Sequence, residues 1–413
     1  MVNTPEDPVT LDFFFTLQSH ATNEPLFPKL GAFECQNATS ASIPLISPFL
    51  TCITTDIDIE FEEDCPVVMV ASMITKLPML CPGLECITLY FLPRDPVITE
   101  AVSNMFLACN RDTLRSFCVD SPLTEEAREV IFQLPSLTSL CTVIQGHTLL
   151  PPVVLPNLVA IGLECDDRLN WLQAFRGATL GKLKTVYFIS HSEQVGDFLE
   201  EFKSVALAAS ASATLSTLLF RTSQPWDPTY RSLLPFTQLE DLQIEFSCDD
   251  DCSSRLDDNI VIDLARAMPK LKILRLGDEP CGTGGGITVK GLIALACCCR
   301  HLSNLCIHFQ TESLVEAVGG AEVPAPSGGK AVANRQDCAL TNLEVGRIPI
   351  REDTVDMVAM TLLQIFPRLL DIDFIEKGWE GAMKIIRLTR RISTFVQHTS
   401  KGYLISHPYC PPQ

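Results

Sequence analysis

The chain has 413 residues, with 31 Lys and Arg against 50 Asp and Glu, a formal net charge of −19. Hydrophobic residues make up 46% and aromatic residues only 7%, and the positive mean hydropathy of +0.21 excludes a wholly disordered chain. The acidity argues against general nucleic-acid binding, which needs clustered Lys and Arg to meet phosphates. This length allows two or three globular domains or one long repeat array.

No run of roughly 18 apolar residues occurs, so no membrane-spanning helix is expected. Residues 1–17 carry Glu6, Asp7 and Asp12 and no basic stretch, unlike a secretory leader. The chain is therefore expected to be cytoplasmic or nuclear, with its 18 cysteines reduced. The sequon Asn37-Ala38-Thr39 is then expected to stay unglycosylated.

In chain order, residues 1–25 read as a partly flexible lead-in. Residues 26–376 then repeat one frame, apolar-Pro-x-Leu-x-x-Leu-x-Leu. It is clearest in Leu134-Pro135-Ser136-Leu137, Leu155-Pro156-Asn157-Leu158, Met268-Pro269-Lys270-Leu271 and Phe366-Pro367-Arg368-Leu369. Looser copies start at Leu30, Leu50, Leu84, Leu114, Leu183, Leu215, Leu239, Leu302 and Leu340, which makes 13 units. From Leu30 to Leu369 the units recur about every 28 residues, a period at which leucine-rich repeats occur.

The last two leucines of the frame lie two apart and share one face of a short strand. Between strands the apolar spacing turns helical. Val97, Ala101, Met105 and Ala108 are expected on one side of a helix, as are Val355, Val358, Leu362 and Ile365. Thr124 before Glu125 and Glu126, and the acids before Ile260, read as helix starts. Each buried side chain contributes roughly 1.5–3 kcal/mol, so one unit barely offsets its chain entropy, and stacking is required. The expected fold is α/β: a leucine-rich-repeat solenoid with a parallel concave sheet and helices on the convex side.

Residues 319–335, rich in Gly, Pro and Ser, read as a flexible loop. Residues 377–413 read as a basic capping helix and tail. Ile385, Leu388, Ile392 and Phe395 are expected on its apolar side, and Lys384, Arg387 and Arg391 on a solvated face.

The frame resembles ribonuclease-inhibitor-like leucine-rich repeats, in particular those of fungal F-box/leucine-rich-repeat proteins, whose irregular units open as Leu26-Phe27-Pro28-Lys29-Leu30 does here. The F-box module of that family is not found ahead of the repeats. The resemblance implies a substrate receptor of an F-box-type ubiquitin ligase, or a relic of one. The F-box adaptor and cullin would be partners only through a missing upstream module. The alternative is a leucine-rich-repeat scaffold or regulator with no ubiquitin link.

No site carries an enzymatic signature. Cys248 and Cys252 flank three aspartates but lack a second ligand pair, and read as a solvated acidic turn. Cys297, Cys298 and Cys299 end an apolar helix and read as packing. The glycines of residues 282–286 lack the Lys-Ser/Thr of a phosphate loop. No Gly-x-Ser-x-Gly or His-Glu-x-x-His occurs among the seven histidines and their neighbours. Neither cofactor nor metal is expected, and the chain is expected not to be an enzyme.

A protein partner is expected on the inward side of the strands. The residues there are Asp241, Gln243, Glu245, Arg275, Asn304, His308, Glu344, Asp371 and Asp373. Earlier strands offer smaller groups, among them Cys86, Thr88, Tyr90 and Cys141. The acids are expected to form one strip that suits a basic partner segment.

Overall fold

The computed structural model describes residues 27–144, 155–165, 175, 178–190, 198–222, 230–246, 256–277, 286–319, 338–346, 348–374 and 378–403. The chain divides into two compact units, Met1–Thr222 and Ser223–Gln413. The expectations for the lead-in, for the cysteines at 248 and 252, for residues 282–285 and for the loop beyond Gly319 lie outside the described residues.

In the first unit the strands are β1 (Ala32–Ala38), β2 (Asp56–Phe61), β3 (Cys86–Tyr90), β4 (Ser116–Pro122), β5 (Ser139–Ile144), β6 (Ala160–Cys165), β7 (Thr185–Ser190) and β8 (Thr217–Thr222). They pair in chain order, all parallel. Each begins two residues after the first position of a frame. The next frame position stacks from strand to strand: Phe33, Ile57, Ile87, Phe117, Leu140, Ile161, Val186 and Leu218 are register partners in turn. All are buried.

The turns ahead of the strands are laddered as well. The N–H groups of Arg115 and Ser116 both donate to Glu85 O, at 2.8 and 3.0 Å, and Thr138 and Ser139 repeat this on Arg115 O at 2.8 and 3.1 Å. Turn hydroxyls extend the ladder: Thr113 donates to Leu84 O at 3.1 Å, Ser136 to Leu114 O at 2.9 Å and Thr214 to Leu183 O at 2.7 Å.

One frame is displaced from its expected place. The second unit is not Leu50-x-x-Ile53, since Ile53 is 45% exposed. It is Thr54-x-x-Ile57-x-Ile59, with Thr54 fully buried at the leucine position. Its hydroxyl donates to Leu30 O at 2.9 Å, so a polar residue occupies the apolar place by joining the turn ladder.

The first unit's helices are α1 (Ile43–Ile46), α2 (Val67–Leu80), α3 (Pro96–Ala108), α4 (Glu125–Ile131) and α5 (Phe198–Ala208). Asp95 caps α3 by accepting from Val97 N–H at 2.8 Å, with Pro96 at the first helical position, where its missing donor costs nothing. Its buried stripe is Ile98, Ala101, Val102, Met105 and Phe106. Val97 and Ala108, expected inside, are exposed: the cap sets the helix phase one residue on. Thr124 caps α4 as expected, accepting from Ala127 N–H.

The second unit carries β9 (Asp241–Phe246), β10 (Ile273–Leu276), β11 (Asn304–Ile307), β12 (Asn342–Gly346) and β13 (Asp371–Phe374), parallel and in chain order. Leu242, Leu274, Leu305, Leu343 and Ile372 form its buried ladder. Its helices are α6 (Asp258–Ala267), α7 (Val289–Cys298), α8 (Thr311–Gly319), α9 (Val355–Ile365) and α10 (Trp379–Tyr403). Asp257 caps α6, accepting from Ile260 N–H at 2.9 Å. Asp258 reaches the next helix instead. Its carboxylate accepts from Thr288 N–H at 2.8 Å, Thr288 Oγ1 at 2.6 Å and Gly291 N–H at 3.0 Å, fixing the start of α7.

α10 packs against α9 and β13. Trp379 is wholly buried, donates from Nε1 to Ile348 O at 2.8 Å and meets Phe309 edge-on. Gly378 precedes it at φ +115°, where a Cβ would stand 2.7 Å from Ile350. The buried stripe is Trp379, Ala382, Met383 and Ile386, and Leu388, expected inside, is exposed. The anchoring tryptophan sets the phase, and Ile385 is left half-buried.

Candidate functional site

The alternation that buries the frame residues turns the others to the opposite face of each sheet. In the second unit they stand in two registered rows. One row runs Asp241, Ile273, Asn304, Asn342, Asp371; the next runs Gln243, Arg275, Cys306, Glu344, Asp373. A groove of about 550 Å³ lies over β10 to β13 and is bounded by Arg387 of α10.

Arg275 organises the second row. Its guanidinium Nη2 lies 2.8 Å from Glu344, two strands away, and its Nε 3.7 Å from Glu245. It passes the intervening β11 at Cys306, a small side chain that is buried although it lies on the open row. A larger residue there would displace the guanidinium. Asp371 pairs with Arg387 at 2.9 Å, both exposed. Asp373 is exposed and carries no ion pair among the described residues. Asp241 accepts from Gln243 Nε2 at 3.0 and 3.2 Å. Burial raises its carboxyl above the usual range, while the Gln243 bond and the Arg275 charge oppose that rise.

The nine residues expected here therefore divide. Asp241, Gln243, Arg275, Asn304, Glu344, Asp371 and Asp373 share the groove face. Glu245 and His308 are buried at its end, with 5% and 9% of their surface exposed. Glu245 is held by Arg275, and burial pushes the His308 imidazole down to about 4, so it is neutral at pH 7. The continuous acidic strip is accordingly broken by two cations, Arg275 and Arg387, into paired and unpaired carboxylates.

Arg387 was not among the expected site residues. It sits 16 residues beyond its partner Asp371, on the helix read as having a solvated outer face. The only signal in the sequence is its cation on the helix turn after the buried Met383 and Ile386.

The corresponding face of the first unit is less charged at its centre. Thr88, Cys118, Cys141, Gly162 and Tyr187 are register partners across β3 to β7. Carboxylates gather at its start: burial raises the Asp58 carboxyl, and Glu34 and Glu60 add to it.

Among the described residues, no group of three His, Cys, Asp or Glu side chains could hold a metal ion, and no helix is long and apolar enough to cross a membrane. The sequence matches no protein-family model and no curated protein.

Proposed function

We propose that the chain is a non-catalytic recognition protein built of ribonuclease-inhibitor-like leucine-rich repeats, holding a basic segment of a protein partner against the open sheet face of Ser223–Gln413. The repeat reading is supported by the frame, which precedes every described strand by two residues and recurs at a leucine-rich-repeat period. The observation that carries the recognition reading is the registered double row with its groove. Regular backbone pins its polar groups, and its cations Arg275 and Arg387 are engaged by carboxylates of the same surface.

Asp373 and Asp241 are the carboxylates left for an incoming Lys or Arg. A partner cation beside Asp371 would compete with Arg387 in an exposed pair that holds weakly. Solenoid sheets commonly bind extended partners in this way. By its resemblance to F-box/leucine-rich-repeat proteins, the partner would be a substrate for ubiquitination; that step rests on the resemblance alone.

The test is binding of the full chain to immobilised peptides of matched length, rich in Lys and Arg, in Asp and Glu, or in apolar residues. The basic set should be preferred, and more weakly at high salt, where screening shortens to a few Å. Asp241→Lys combined with Asp373→Lys should reduce that binding at least tenfold and leave the melting temperature unchanged. Preference for acidic or apolar peptides, or indifference to the double substitution, would remove the face from consideration.

A further inference from the structure

We propose that Cys118 and Cys141, on the open face of the first unit, are a dithiol site that reacts with small neutral hydroperoxides and closes to a disulfide between β4 and β5. This is independent of partner recognition by the second unit.

The two cysteines are register partners on adjacent parallel strands. Such partners stand about 4.8 Å apart at Cα, within the window of about 4.4–6.8 Å that a disulfide requires. Both are part-exposed, unlike Cys35, Cys65, Cys81, Cys109 and Cys165 of the same unit, which are buried. The sheet register thus sets the spacing of the pair. Cys141 Sγ now leans over Gly162 on β6, where a Cβ would stand 2.8 Å from it. The glycine leaves that sulfur room to sit there.

The surroundings tell the two sulfurs apart. Tyr90 Oη lies 3.3 Å from Cys118 Sγ, within hydrogen-bond reach of it. These neighbours, Cys141 first and then Tyr90, hold Cys118 below the usual thiol range against burial and the charges of Asp120 and Asp58. Cys141 is held above it, by its neighbour Cys118 and by burial. By contrast, burial pushes Cys35 and Cys81 up to about 11 and Cys109 up to about 12. The thiolate is the nucleophile in thiol chemistry, and the Tyr90 hydroxyl beside Cys118 can stabilise it there, so Cys118 attacks and Cys141 resolves.

The same carboxylates select the oxidant. Asp58 and Asp120 both act on Cys118, so an anionic disulfide such as oxidised glutathione meets repulsion, while a neutral hydroperoxide does not. Cys118 sulfur attacks one peroxide oxygen and the O–O bond breaks. The departing hydroxide takes up the proton that Cys118 released and leaves as water, and Cys118 becomes a sulfenic acid. Cys141 sulfur then attacks Cys118 sulfur. The S–O bond breaks, and the leaving hydroxide takes the Cys141 proton as a second water. Two thiols are oxidised to one disulfide, and hydrogen peroxide is reduced to two waters; an organic hydroperoxide would leave an alcohol in place of the first water. A dithiol reductant reverses the step.

The test is titration of the full chain with hydrogen peroxide, read by mass spectrometry of peptides from the alkylated protein. The exposed Cys52 serves as the internal reference. The expected first product links the peptides of Cys118 and Cys141, forms at least tenfold faster than oxidation of Cys52, and disappears on adding a dithiol. Cys141→Ser should stop at a sulfenic acid on Cys118, trapped by a 1,3-diketone probe. Tyr90→Phe should slow the first step several-fold. The proposal fails if Cys52 reacts as fast, if another pair links first, or if Cys141→Ser yields no trapped sulfenic acid.

Discussion

A buried imidazole reports on proton uptake in a way that surface groups do not. His308 lies against the backbone of Gly277, whose added Cβ would stand 4.0 Å from the ring. Burial holds it at about 4 against an ordinary 6.5. Below pH 6.5 the unfolded chain takes up a proton that the folded chain refuses until about pH 4. The unfolded state therefore binds more protons across that window, and stability falls as pH falls through it. The difference in proton affinity between the folded and unfolded chains corresponds to a loss of about 3 kcal/mol. Carboxylates titrate in the same range, so the measurement is a difference: urea unfolding of the protein and of His308→Gln from pH 7 to pH 4. The stability gap between them should change by about that amount; parallel curves would show that water reaches the ring.

At the scale of single elements, one carboxylate does the work of a cap for a helix it does not belong to. Asp258→Ala strips three donors of α7 of their acceptor, at a cost of about 2–3 kcal/mol, whereas Asp257→Ala removes one α6 cap bond and should cost about 1 kcal/mol. Denaturant unfolding of both variants checks the order; equal losses would mean that the α7 start is held by other contacts. This tie was not legible in the sequence, because Asp257 and Asp258 look alike and only the fold brings Thr288 and Gly291 to the second. The strand frames were legible, since a period of two in Leu, Ile and Val is a local signal. The frame at Thr54 was hidden because its hydroxyl bonds a carbonyl 24 residues back, while Leu50-x-x-Ile53 mimics the pattern nearby. The faces of α3 and α10 were read one step off for a related reason. Caps and anchors, Asp95 and Trp379, set a helix's phase, and apolar spacing alone leaves Ile98 against Val97, or Ile386 against Ile385, undecided. For the site, strand alternation made the two rows readable, but the reach of Arg275 over Cys306 and the arrival of Arg387 depend on register and docking.

Across the molecule, stability should be close to nearest-neighbour, since each strand bonds only the strands beside it within its unit. Leu274 is 1% exposed and sits between Leu242 and Leu305. An aspartate there places a charge where every partner is apolar, a loss of several kcal/mol. In a one-dimensional array that loss is felt first by the adjoining strands. Hydrogen exchange of Leu274→Asp should lose protection most in β9, β10 and β11, less in β13, and little in β1 to β4 of the first unit. Uniform loss along the whole chain would mean that the array unfolds as one cooperative body rather than as repeats. Unchanged protection around β10 would place Leu274 on the wrong face and overturn the register from which the groove rows are built.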